Sequence, residues 1–268
     1  MHRKVHLFYF PMIKTGDVLR IVNSAIPESL ATDWDNSGMQ VGSLDWEAKG
    51  IIISLDADIP MLEKAREVGA NIAITHHPLL FNSVKQLDLD TPVGKVMAQA
   101  VRDQVVIYSA HTNLDIMEGG VNDTLAKKIN LLNIRPLADM GRIGELIGDE
   151  TLEGLITRVK KDFSIPYLTA VGRPERRIKK VAVCGGSGGS FVKEAAENGA
   201  DLLITGDVKY HAARDAESYG IAVMDIGHFS SEALILPVLA ALIKDMLEKE
   251  GIAMGLYIHW GSDPLRVC

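Results

Sequence analysis

The chain has 268 residues, of which 47% are hydrophobic, 24% charged and 6% aromatic. That composition excludes overall disorder and leaves room for one large domain or two of roughly 130 residues. With 28 Lys and Arg against 35 Asp and Glu, the net charge is −7, which disfavours a broad surface for nucleic acid.

Two cysteines, Cys184 and Cys268, make neither a disulfide scaffold nor a thiolate-rich zinc site. They fit a reducing, cytoplasmic setting. The longest apolar run, Ala233–Ile243, is 11 residues and contains Pro237; a membrane helix needs about 20, so no membrane span is expected. Met1–Ile13 resembles a signal peptide only faintly, because His6 interrupts its apolar stretch and no small-residue cleavage site follows. Residues 1–14 read instead as an N-terminal extension, with Met12 as an alternative natural start.

A first helix is predicted from Thr15–Asp17, where Val18, Ile21, Val22, Ala25 and Ile26 line one face and Pro27 ends it. A strand follows at Ile51–Leu55, then a helix at Met61–Val68 terminated by Gly69, then a strand at Ile72–Thr75. Thr91-Pro92 supplies the cap and first residue of the next helix. A strand is predicted at Val105–Tyr108 and a helix at Val121–Ile129. After the glycine-rich stretch Gly141–Gly148, Thr151 caps another helix. Strands are predicted at Lys180–Val183, Leu202–Thr205, Ile221–Met224 and Leu256–His259, and one long helix at about Ser231–Lys249. Strands alternating with helices indicate the α/β class with mixed, mostly parallel sheets flanked by helices.

The chain also repeats itself. Gly69-Ala70-Asn71-Ile72-Ala73-Ile74-Thr75 matches Gly199-Ala200-Asp201-Leu202-Leu203-Ile204-Thr205 at an offset of 130 residues, which also places Ile51–Ile53 on Val181–Val183. A second match sets Ser109-Ala110-His111 against Ile226-Gly227-His228, and four residues beyond those histidines stand Asp115 and Glu232. Internal duplication is therefore expected: two similar lobes about a pseudo-twofold axis, residues 15–130 and 131–268, with part of the C-terminal helix packing on the first.

The chemistry-bearing residues gather at predicted strand ends, where open parallel sheets place their ligands. His76 and His77 follow one strand, and adjacent residues on an extended segment point to opposite sides, which suits two neighbouring metals better than one. Asp115 offers a hard anionic ligand, and His228 and Glu232 repeat the arrangement in the second half. Three histidines and two carboxylates suit two divalent transition metals (zinc, iron, manganese, nickel or cobalt) sharing a bridging carboxylate. Such a pair lowers the pKa of bound water and supplies hydroxide at neutral pH. His111 reads as a ligand, an acid–base group or an orienting partner. His211 and Lys209 read either as lining the cleft or as a solvated helix face. The Cys184–Ser190 turn reads as a tight turn or as an anion cradle, although it lacks the lysine of a P-loop. Trp34-Asp35-Asn36 and His259-Trp260 read as packing or subunit contacts.

Thr75-His76-His77-Pro78, the Ala110–Asp115 segment, Gly206-Asp207 with His211, and Gly227-His228 with Glu232 together resemble the Nif-three-like family, also labelled GTP cyclohydrolase I type 2. Trp34-Asp35-Asn36 and Gly119–Asp123 add to the resemblance, which covers about Thr15–Cys268 in order. It implies a dinuclear metal centre on His76, His77, Asp115, His228 and Glu232, between two lobes. It also implies a toroidal hexamer, in the compact form that lacks a domain inserted near Gly141–Gly148. The activity it implies is a metal-dependent hydrolase whose activated hydroxide attacks a nucleotide or cyclic amide, GTP being the named candidate, with His111 or His211 moving protons. Two other readings use the same ligands: a metal store or chaperone without turnover, and a partner-binding ring with structural metals.

Overall fold

Short runs of β-branched and aliphatic residues build two sheets in the computed structural model, which describes residues 12–266. The expected N-terminal extension lies outside the described residues up to position 11, as does Cys268. In chain order the first half comprises α1 (Thr15–Ala25), β1 (Gly38–Val41), β2 (Gly50–Ser54), α2 (Ile59–Val68), β3 (Ile72–Thr75), α3 (Pro92–Arg102), β4 (Val106–Ser109), α4 (Thr112–Ile116) and α5 (Val121–Lys128). The rest comprises β5 (Leu132–Leu137), β6 (Gly141–Thr151), α6 (Leu152–Asp162), β7 (Thr169–Val171), β8 (Arg177–Val183), α7 (Val192–Glu197), β9 (Leu202–Thr205), α8 (Tyr210–Tyr219), β10 (Ala222–Asp225), α9 (His228–Glu232), α10 (Ile235–Lys249) and β11 (Gly255–Ile258). Local signals set several boundaries. The Asp58 carboxylate accepts from Met61 N at the start of α2, Gly69 ends α2 in the left-handed conformation, and Thr91 and Thr151 cap α3 and α6.

The first sheet runs β1-β4-β3-β2-β11 and the second β5-β6-β8-β9-β10-β7. Both are mixed: β2, β3, β4 and β11 are parallel, as are β8, β9 and β10, while β1, β5, β6 and β7 run antiparallel to their neighbours. The two parallel cores pair in the same register, Ile51 with Ile72 and Val181 with Leu202. Helices cover both faces, so these strands read as unbroken apolar runs. Alternate residues divide between the faces: Ile51, Ile53, Ile72 and Ile74 pack under α1 and α10, while Ile52 and Ala73 pack under α2 and α3. Val181, Val183, Leu202 and Ile204 likewise meet α5 and α6, opposite Ala182 and Leu203. α5 joins the two cores, with Val121 in the first and Leu125, Ala126 and the C-cap Ile129 in the second.

Three features differ from the sequence expectation. β11, expected within a second lobe of 131–268, pairs with β2 of the first sheet, beside α10, which lies against α1 and part of which was expected on the first lobe. The apolar face of α10 and the strand that follows it fit the open edge of β2, a pairing across some two hundred positions that no local pattern encodes. The long helix expected from Ser231 is two helices broken at Ala233-Leu234. Pro237 has no N–H to return to the carbonyl of residue 233, so the ladder restarts there. Glu232 therefore ends a short helix rather than opening a long one. The glycine-rich stretch after Gly141 is a strand, and at Gly144 a Cβ would lie 2.7 Å from Leu132 O, so the β5–β6 hairpin closes only over glycine.

Candidate metal centre

Every element of the candidate centre leaves the carboxyl end of a parallel strand. His76 and His77 follow β3, held by His76 N and His77 N donating to Ser54 O and Leu55 O at 3.1 and 2.8 Å. The Thr75 and Ser109 hydroxyls both donate to His77 O, fixing the pair against the end of β4. His111 and Asp115 follow β4 on α4. His228 and Glu232 follow β10 on α9, after Gly227 at φ +88.

These side chains converge. His77 Nε2 lies 2.9 Å and His228 Nε2 3.2 Å from Glu232 Oε2. The other carboxylate oxygen, Oε1, lies 3.6 Å from His76 Nε2, which is 3.7 Å from Asp115 Oδ1. Glu232 thus turns one oxygen to each half of the cluster. Two sets of three residues bring their ligand atoms within 4.8 Å of one another: His76, His111 and Asp115, and His76, His77 and Glu232. The cluster therefore contains all five expected ligands and draws in His111. His211 stays apart: it is exposed on the first turn of α8 with its ring against Tyr210.

Each of the four histidines has an oxygen at Nδ1: Ala110 O for His76 (2.9 Å), Asp56 for His77 (2.8 Å), Asp35 for His111 (2.7 Å) and Asp207 for His228 (2.7 Å). That pattern fixes the tautomer and turns each Nε2 toward the cluster, as around protein metal ions. Asp35 is the most elaborated of these partners. Its buried carboxylate accepts from His111, Ser37 and both the amide and the hydroxyl of Thr112. Burial works to raise its pKa, but these hydrogen bonds win and hold it far below the usual carboxylate range.

The residues fit a metal on two further observations. His76 Nε2 and Asp115 Oδ1 are buried without a hydrogen-bond partner, an expensive arrangement in a protein interior unless a cation satisfies both. The donors are imidazole nitrogen and carboxylate oxygen only, a set that divalent transition metals accept. Burial raises the Asp115 carboxyl to about 6. At Glu232 burial also works upward, but the charges and hydrogen bonds of His76, His77 and His228 hold it well below its ordinary value. At His77 burial works downward and is outweighed by Asp56 and Glu232, leaving its pKa at about 10. At His228 the Glu232 hydrogen bond dominates and raises it to about 9.

The Cys184–Ser190 turn backs the centre instead of offering a phosphate cradle. Three of its amides are already taken: Gly185 N by Asn122 Oδ1, Gly186 N by Ser231 Oγ and Gly188 N by Thr205 Oγ1. Gly186 has φ +63, and a Cβ there would lie 2.2 Å from Glu232 Oε1. Only glycine permits the carboxylate its place. Sequence reasoning missed Asp56, and it read Asp35 as a packing or subunit contact. The available signal for Asp56 was its position just past a strand end, the same position that marked His76 and His77.

The fold and the cluster together define an α/β protein with a buried histidine–carboxylate site poised for metal between two mixed sheets. The chain belongs to the Duf34/NIF3 (NGG1p interacting factor 3) family, whose model matches residues 13–259. A Clostridium acetobutylicum relative named "GTP cyclohydrolase 1 type 2 homolog" is 35% identical over 264 residues, covering 95% of this chain and 98% of the relative. A Clostridium perfringens relative of the same name is 33% identical, covering 89% and 94%. The crystal structure of a Staphylococcus aureus hypothetical protein matches with a TM-score of 0.90 at 27% identity, covering 96% of this chain and all of that one. No helix among the described residues is long and apolar enough to cross a membrane.

Proposed function

We propose that the protein is a hydrolase dependent on two divalent transition metals, acting on a nucleotide or a related cyclic amide. The observation that carries this reading is the split reach of Glu232, with Oε1 toward His76 and Oε2 toward His77 and His228. His76, Asp115 and Glu232 Oε1 would hold one cation. His77, His228 and Glu232 Oε2 would hold the other. Metals in such a pair act as Lewis acids and lower the pKa of bound water.

The chain's own residues supply orientation and proton transfer. Asp56 and Asp207 keep the second pair of imidazoles aimed inward. His111 sits at the rim, its side chain 16% exposed in front of a fully buried Asp35. It is the imidazole we assign to moving a proton between substrate and solvent, with Asp35 at its Nδ1 holding the ring in place. His211, exposed and unconnected to the cluster, is the weaker of the two candidates for that role. The matching registers of the two parallel cores support an internal duplication about a pseudo-twofold axis. A toroidal hexamer is the assembly we propose, by family resemblance, and the cytoplasm its setting, from the sparse cysteines.

The names of the Clostridium relatives make GTP the first substrate to try. Metal-loaded protein should hydrolyse GTP or a cyclic amide in a screen, and both His111→Gln and Asp115→Asn should abolish turnover, the former with metal retained. No turnover of any such compound by protein carrying its full metal would reject the hydrolase and favour a metal store or chaperone.

A further inference from the structure

Two large aromatic side chains stand exposed beside the cluster. Trp34 is 60% and Phe81 53% exposed, in a region otherwise given to polar chemistry. With His111 they form a three-ring corner. The centroids are 6.2 Å apart for Trp34–Phe81, 6.4 Å for Trp34–His111 and 6.3 Å for Phe81–His111, at interplanar angles of 60°, 82° and 83°. Burial does not hold the first two rings there; hydrogen bonds on their neighbours do. The Asn36 amide donates to Leu80 O at 2.7 Å, and Leu80 N donates to Gln40 Oε1, so the segment carrying Phe81 is clamped to the one carrying Trp34. Asp35, between Trp34 and Asn36, grips His111 and Thr112. Three consecutive residues thus present a ring, orient the rim histidine and lock the second ring's segment.

Exposed aromatic faces held in fixed positions are costly in water and are what stacking platforms require. We propose that Trp34 and Phe81 are the platform on which the substrate's planar heteroaromatic ring stacks at the His111 edge of the centre. Stacking is tolerant of ring identity, so the class is a flat heterocycle such as a purine. Discrimination among bases falls to polar groups at the ring's edge. The inference rests on the cluster being the reaction site, and the test separates the two.

Equilibrium dialysis of the full-length protein, zinc-loaded and chelator-treated, would use guanosine, adenosine and ribose as probes. Both nucleosides are expected to bind and ribose not. Trp34→Leu and Phe81→Leu should each weaken nucleoside binding about tenfold with zinc content unchanged, and Trp34→Phe should restore most of it. Nucleosides binding no tighter than ribose, or binding the leucine variants as well as the parent, would overturn the platform. So would a leucine variant that dissociates into smaller oligomers yet keeps its nucleoside affinity, which would make the rings a subunit contact. Full zinc with no nucleoside binding leaves the metal reading standing alone. Nucleoside binding that depends on Trp34 in a protein unable to hold zinc does the reverse.

Discussion

Around His76 and Asp115 the polar atoms face one another at 3.7 Å with no hydrogen bond, whereas around His77 and His228 every ring nitrogen is engaged. The His76 side chain is fully buried, while those of His77 and His228 are 25% and 36% exposed. The first half leaves buried lone pairs for a cation to satisfy. The second half balances Glu232 with imidazole protons that a cation has to displace. The two positions should therefore differ in affinity, in pH response and in what each mutation removes, with Glu232 the one residue common to both.

Splitting the halves gives the largest effects. Asp115→Asn should leave about one ion per chain in a two-metal site, lost from the His76 position, and His228→Gln should lose the other. Elemental analysis beside a spectroscopically active substitute such as cobalt would tell the positions apart. Loss of both ions in each variant would show one cooperative site instead of two. Next come the carboxylates behind the imidazoles. Asp56→Asn and Asp207→Asn should each weaken binding about 10–100-fold at the His77–His228 position and leave the His76 position unchanged, read by competition with a metal indicator.

The smallest and most graded effect is in pH. In the metal-free protein, His77 at about 10 and His228 at about 9 carry protons at neutrality, so cation binding there releases protons and affinity rises with pH until those values are passed. The fold responds with the opposite sign. Pairing that raises these pKa values stabilises the metal-free protein fully below the ordinary histidine value of about 6.5, and that stabilisation is lost as pH rises through about 9 to about 10. Melting curves of chelated protein across that range, and proton release on zinc addition, check both signs.

The same contrast marks what the sequence made legible. His76 and His77 stand at the end of a strongly apolar strand, and His111 with Asp115 recurs as His228 with Glu232 after another, so strand ends and repeat found them. Asp35 lies far from His111 in sequence. It reaches the site because β1 pairs antiparallel with β4, Gly38 against Ser109, and β1 is a short edge strand with no clear alternation. β5 and β6 were hidden by glycine and charge, and the place of β11 beside β2 by sheer separation along the chain. The glycines of the Cys184–Ser190 turn read as a tight turn or as an anion cradle, because glycine allows close approach in either case; only the position of Glu232 shows that a carboxylate is what approaches.

The most direct test of a bridged centre is metal content per chain for protein purified without chelator or metal-affinity resin, beside Glu232→Ala. The account predicts about two transition-metal ions in the parent and a fall at both positions in the variant. One ion or none in the parent, even after reconstitution, or a variant that keeps one position full, would contradict Glu232 as the shared ligand.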